Sequence, residues 1–195
     1  MTPERLGEVV QASISAFTAQ CHQLGKPPPL GALVTTTEGN ATIYGVVYNA
    51  TTGSIDPGRR SMALGAGEEE EEGVYRSHPE LSQLLRTDFE ALVVGCRVPA
   101  GIRYYLPPRP ARTHAFVHAA SQEEAREFTA PLSFLHFLVN APVSTRDDAA
   151  SSCLRLASAA HKDSGQFLVQ AGKELANLLG RDTPRLNILL RQLRG

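Results

Sequence analysis

Ile43, Tyr44, Val46, Val47 and Tyr48 form a β-branched and aromatic run interrupted by Gly45, and such a run predicts a strand. A glycine inside a strand marks a bulge, a barrel corner or a close backbone approach. The Asp56-Pro57-Gly58 turn, followed by Arg59 and Arg60, ends the element. Upstream, Leu6, Val9 and Val10, then Ile14, Phe17 and Ala19, are divided by Ser13 and Ser15. They predict two short antiparallel strands or one strongly bent strand. Pro27, Pro28 and Pro29 have no N–H to give to a sheet and predict a stiff, extended connection. Residues 30–34 restart a strand, and the polar run 35–40, with Gly39-Asn40 at its tip, predicts a hairpin pairing residues 33–36 with residues 42–50.

Residues 54–73 predict a loop, within which residues 68–72 are an unbroken run of glutamates. Like charges repel and stay extended, so the run reads as a solvated, mobile insertion, with a basic-partner or metal contact as the alternative. Ser77, Pro79 and Glu80 predict a helix start, with Leu81, Leu84 and Leu85 on one apolar face. Residues 89–96 are nearly continuous in apolar side chains and predict a strand buried on both faces. Ala100-Gly101 and Pro107, Pro108 and Pro110 frame a turn-rich segment that carries Tyr104 and Tyr105. Residues 114–119 predict the closing strand, with Ala115 and Val117 on one face and Phe116 and His118 on the other.

The periodicity then changes. Ser121 and Glu124 make a capping box that starts a helix, and Pro131, followed by Leu132, Phe134, Leu135, Phe137 and Leu138, starts another. A third helix is expected over residues 145–160. Phe167, Leu168, Ala171, Leu175 and Leu178 keep helical spacing up to Gly180 at a C-terminal cap, and Thr183-Pro184 opens a last amphipathic helix. No strand is expected after Ser121. The predicted fold class is α+β: an N-terminal six-stranded closed antiparallel β-barrel with a short inserted helix over residues 1–120, then a small all-α domain over residues 121–195.

Composition adds boundaries. A chain of 195 residues, 42% hydrophobic and 20% charged, supplies one substantial domain or two small ones. The formal net charge of -1 gives no whole-molecule attraction to a polyanion or polycation. Cys21, Cys96 and Cys153 are odd in number and far apart, which argues against a disulfide framework or a zinc site and for a reducing compartment. Residues 1–6 lack a basic region ahead of an apolar core, and no apolar run approaches the roughly 18 residues of a membrane span. A cytoplasmic protein without membrane insertion is expected.

Chemistry-bearing motifs are sparse. There is no phosphate loop and no nucleophile elbow, and the six histidines form no paired metal motif. His114 and His118, placed in a strand, would sit about 13 Å apart, too far to share a metal. No catalytic residue, metal ligand or cofactor is assigned. The candidates are for interaction. Asp56, Arg59 and Arg60 form a turn that suits a carboxylate or phosphate partner, or that is pinned internally through Asp56, Asp88 or Glu90. Tyr104 and Tyr105 could offer ring contacts. Arg181, Arg185, Arg191 and Arg194, opposed by Asp182 alone, give the last helix a basic face opposite Leu186, Leu189, Leu190 and Leu193. That face is either solvated or docks on an acidic protein or RNA.

Residues Leu6-Gly7-Glu8-Val9-Val10 with Ser13 and Phe17, then Leu30-Gly31-Ala32-Leu33-Val34, then Tyr44-Gly45-Val46-Val47, resemble the HAS barrel. This is the six-stranded N-terminal barrel of the rotary ATP synthase catalytic-head subunits and of an archaeal DNA-translocating helicase. The longer pattern of Tyr44 to Tyr48, Thr52, Ser54 to Arg60, and Leu85-Arg86-Thr87-Asp88-Phe89 resembles a cyanobacterial family of HAS-barrel proteins of uncharacterised function. In those assemblies the barrel holds no catalytic residue and makes contacts between subunits. No ATPase domain follows here, so the resemblance implies assembly and no motor. The expected function is a non-enzymatic protein-interaction or assembly module, with a protein partner or self-association. The alternatives are a small-ligand barrel enzyme of flavin or nucleotide type, with Arg59, Arg60, Tyr104 and Tyr105 as contacts, and an RNA- or ribosome-associated factor using the basic C-terminal helix.

Overall fold

The computed structural model describes residues 4–56, 58 and 62–194. Among these residues, seven strands and seven helices follow in the order β1 (Arg5–Ala12), β2 (Ala16–Cys21), β3 (Leu33–Glu38), β4 (Ala41–Ser54), α1 (Glu71–Ser77), α2 (Leu81–Leu84), β5 (Leu85–Val98), β6 (Gly101–Arg103) and β7 (Phe116–Ala119). After these come α3 (Gln122–Thr129), α4 (Leu135–Val139), α5 (Arg146–Ser158), α6 (Ser164–Leu179) and α7 (Thr183–Leu193).

Six strands close a ring, β1-β7-β3-β4-β5-β2 and back to β1, and every pairing is antiparallel. This is the expected closed six-stranded barrel. β6 is an additional short strand hydrogen-bonded to β5 outside the ring, in the segment read from sequence as turns. The first hairpin turns at Ser13, whose hydroxyl both donates to Ala16 O and accepts from Ala16 N. The second turns at Gly39-Asn40, and β3 pairs with β4 from Leu33↔Val46 to Glu38↔Ala41. Gly45 lies at a register irregularity between β4 and β5. A Cβ there would come within 2.9 Å of the Phe17 ring, so the barrel interior requires glycine at that point.

β4 and β5 divide their side chains between two cores. Inside the barrel, Ile43 and Val47 of β4 and Phe89, Ala91 and Val93 of β5 pack with Val9, Phe17, Val34 and Val117. Outside it, Tyr44, Val46, Leu92 and Val94 pack with Phe128, Phe134, Leu135, Leu138 and Leu154 of the helical region. Each buried aliphatic chain contributes about 1.5–3 kcal/mol relative to exposure. An uncovered outer face would be a large apolar patch, so the barrel needs its helices. α4 packs against β5 and α5 against β4, with α6 and α7 against α5 and each other.

Polar contacts tie the same seam. Tyr44 stacks on Phe128 with centroids 4.2 Å apart, and its hydroxyl accepts from Arg97, which forks onto Glu127 at 2.7 and 3.2 Å. Thr145 donates to Tyr48 O at 2.8 Å, where a second irregularity of β4 exposes the backbone. α3 begins with the predicted capping box of Ser121 and Glu124.

Several local expectations differ. The acidic run is not all loop, because its last two glutamates are the first residues of α1. Ser77 ends that helix instead of starting the next. α2 is a single turn that buries none of its residues, and Leu85 already begins β5. Pairing along β4 captures residues 85–88 into the ladder, which outweighs the helical spacing of Leu85 with Leu81 and Leu84. His114 precedes β7 with φ of 66°, so it does not share a strand with His118. α4 starts at Leu135, four residues after Pro131, because Leu132 takes φ of 60°. α5 ends at Ser158, two residues short of the expected 160. Among the described residues, no helix is long and apolar enough to cross a membrane.

Gly31 connects the two cores. It has φ of +81°, donates to Val47 O at 2.8 Å, and leaves no room for a Cβ, which would sit 2.6 Å from Ser152 Cβ of α5. Gly31→Ala is therefore expected to cost about 2–4 kcal/mol through left-handed strain and displacement of α5. Urea unfolding measures this, and a loss below about 0.5 kcal/mol would contradict it.

Candidate functional site

α6 and α7 carry an open, largely apolar surface groove between them. Asp163 caps α6 by accepting from Gln166 N at 2.8 Å, and Asp182 caps α7 by accepting from Arg185 N at 3.3 Å, with Pro184 in its first turn. Phe167, Ala171, Leu175 and Leu179 of α6 and Leu189 and Leu193 of α7 enter the helical core. Gly172 lets the helices approach, since a Cβ there would be 3.2 Å from Leu190. On the outer side of this contact runs a groove of about 580 Å³, floored by Leu168, Val169, Ala176 and Leu190. Val169 is 59% exposed. The charged side chains lining the groove are Lys173 and Arg194, both cationic.

The residues proposed from sequence do not converge. Asp56 is exposed and caps its own turn, accepting from Gly58 N at 2.9 Å. Arg59 and Arg60 lie outside the described residues. Asp88, offered as an internal partner for them, bonds Arg86 at 3.0 Å; Glu90, the other, accepts from the Tyr48 hydroxyl and from Asn49 at 2.8 Å. Tyr104 is a seam residue: its ring lies 5.2 Å from Phe128, and its hydroxyl donates to Phe128 O at 2.8 Å. Tyr105 is exposed.

Of the four arginines expected on the last helix, Arg185 and Arg191 lie in α7, Arg194 is its C-cap and Arg181 precedes its N-cap. Arg181, Arg191 and Arg194 are exposed, and of these Arg194 reaches the groove. Arg185 turns inward, where its Nε lies 2.8 and 3.0 Å from the Asp147 carboxylate and its Nη2 donates to Val139 O at 2.6 Å. The Asp147 carboxylate holds this guanidinium in its charged form. Val169, Gly172 and Lys173 were not singled out from sequence, and Leu168 was read only as part of the apolar helical spacing of this segment. Their signal was an apolar arc on α6 wider than one buried stripe, with a mid-helix glycine beside it.

A second open depression of about 340 Å³ lies between α3 and α6, lined by Arg126, His161, Lys162, Asp163, Gln166 and Phe167. His161 stacks on Phe167 at 4.0 Å, and its Nε2 is 2.9 Å from the Thr129 hydroxyl. That hydroxyl gives its proton to Ala125 O at 2.6 Å, so Nε2–H is the donor to Thr129 Oγ1. Burial, assisted by Arg126, lowers the imidazole's pKa. The three cysteines are free and buried, and burial raises the thiol pKa to about 11 at Cys21 and about 12 at Cys153. Such thiols are poor nucleophiles at neutral pH. Among the described residues, no group of three or more His, Cys, Asp or Glu side chains is placed to hold a metal ion.

No protein-family model matches the chain, and neither does any curated protein.

Arg185→Ala is expected to destabilise the fold by about 1–3 kcal/mol by orphaning Asp147, whereas Arg191→Ala should stay within about 0.5 kcal/mol. Parallel denaturant curves check this, and equal losses would contradict the inward role of Arg185. His161 gives a pH signature. With its folded pKa depressed, its contribution is complete above the unfolded value of about 6.5 and fades as pH falls through the folded one. The stability gap between wild type and His161→Phe should narrow from pH 8 to pH 5, and a pH-independent gap would contradict this.

Proposed function

We propose that this chain is a non-enzymatic protein-interaction or assembly module, in which a barrel of the HAS type carries a helical layer and the α6–α7 groove is the contact surface. The groove carries the reading: an open apolar floor edged by two cations is suited to a protein surface. The barrel interior is filled by Val9, Phe17, Val47, Phe89 and their neighbours, and the thiols are pushed toward their neutral form. Both fit a scaffold. The HAS likeness rests on the sequence motifs around Gly7, Gly31 and Gly45, and six closed strands are compatible with it. Three free thiols suit a reducing, cytoplasmic setting. The RNA reading is weakened because Arg185 is held by Asp147.

The test is the native size of the protein in clarified extract of its source cells. Wild type is expected in a species well above its own 21.0 kDa, and Val169→Glu, an exposed change in the groove, is expected to release it to a smaller size. Migration of wild type at single-chain mass, or a large species indifferent to Val169→Glu, would overturn the reading.

A further inference from the structure

The groove has a counterpart on the same chain. Met62, Leu64 and Tyr75 are 79%, 38% and 49% exposed, and between them lie the five glutamates 68–72. Residues 62–77 therefore combine uncovered apolar side chains with five carboxylates, opposed by Arg76 alone. Arg76 already pairs with Glu70 at 3.2 Å, while Glu69 and Glu72 are exposed. The groove shows the reverse pairing, with apolar Leu168, Val169 and Leu190 beside Lys173 and Arg194.

We infer that the α6–α7 groove receives the acidic 62–77 segment of a second copy of this chain, so that copies join head to tail. This rests on the groove being an interaction surface. Charge complementarity selects this occupant. Groove-on-groove pairing would set two Lys173 and two Arg194 side chains against each other, and like charges across a contact are repelled. The acidic segment brings the opposite sign together with apolar side chains that need cover. From Gly165 to Ala176 the groove follows α6 for about 16 Å, a span suited to a short segment. Because the two surfaces differ, the contact is heterologous: each growing assembly keeps one free groove at one end and one free segment at the other, and growth continues until a ring closes. Added salt screens the contact.

The experiment is light scattering of the purified full chain across protein concentration, at low and high salt. Wild type is expected to gain mass with concentration at low salt, and to lose it as salt rises. A groove variant, Val169→Glu with Lys173→Glu, and a segment variant, Glu69→Gln with Glu70→Gln and Glu72→Gln, should each weaken association at least about tenfold. Mixed one to one, the two variants should form a dimer that grows no further, because each supplies the intact half that the other lacks. Lys173→Glu alone serves as a second groove variant, and unchanged thermal melts show that all of them fold. Three results would overturn the proposal: wild type at single-chain mass throughout, association that survives in either variant, or variants that fail to pair when mixed. A chain that is monomeric when pure yet large in extract overturns the self-contact and leaves the interaction reading standing. Single-chain mass in both overturns both.

Discussion

The structure depends on the antiparallel pair β4–β5, which is buried on both faces along Ile43–Val47 and Ala91–Cys96. Along it, alternate side chains go to different places: Ile43, Val47, Phe89, Ala91 and Val93 into the barrel, Tyr44, Val46, Leu92 and Val94 into the helical layer. A two-faced apolar strand in a barrel wall is a liability unless something covers its outer side. Here α4 and α5 cover it, and α3 is clamped over the end of the pair by Phe128, Tyr104 and the Arg97–Glu127 fork. The two cores thereby share a wall, and loosening one removes support from the other.

That arrangement also determines what is left outside. α6 and α7 turn their most apolar stripes toward α5 and lock there through Arg185 and Asp147. Their remaining apolar residues, Leu168, Val169 and Leu190, form the groove on the outer side of the α6–α7 contact. The insertion between β4 and β5 carries the opposite charge pattern. One part of the chain therefore presents cations around an apolar floor, and another presents carboxylates around exposed apolar side chains.

Much of the barrel was legible because alternation and turn chemistry act locally. Gly45 announced a close approach, and the Phe17 ring occupies the space its side chain would have filled. Residues 89–96 announced burial on both faces, and β5 has it. Ser121 and Glu124 announced a helix start and cap α3. What was illegible depended on partners distant in sequence. Leu85 shares helical spacing with Leu81 and Leu84 but is taken, with residues 86–88, by the β4 ladder. Arg185 resembles Arg181 and Arg191 in sequence, and only Asp147, 38 positions earlier, separates its role from theirs. Tyr104 looked like a ligand contact until Phe128 was placed beside it. The groove was hidden for the same reason, because Val169 and Leu190 meet only once α6 and α7 are docked.

Native-state hydrogen exchange tests the shared wall most directly. If β4–β5 holds both cores, amides of α4 and α5 exchange through the same global opening as those of β4 and β5, with the same dependence on denaturant. A helical region that opens at markedly lower free energy while the barrel stays protected would contradict the account, and would make the groove a feature of a separately folding unit.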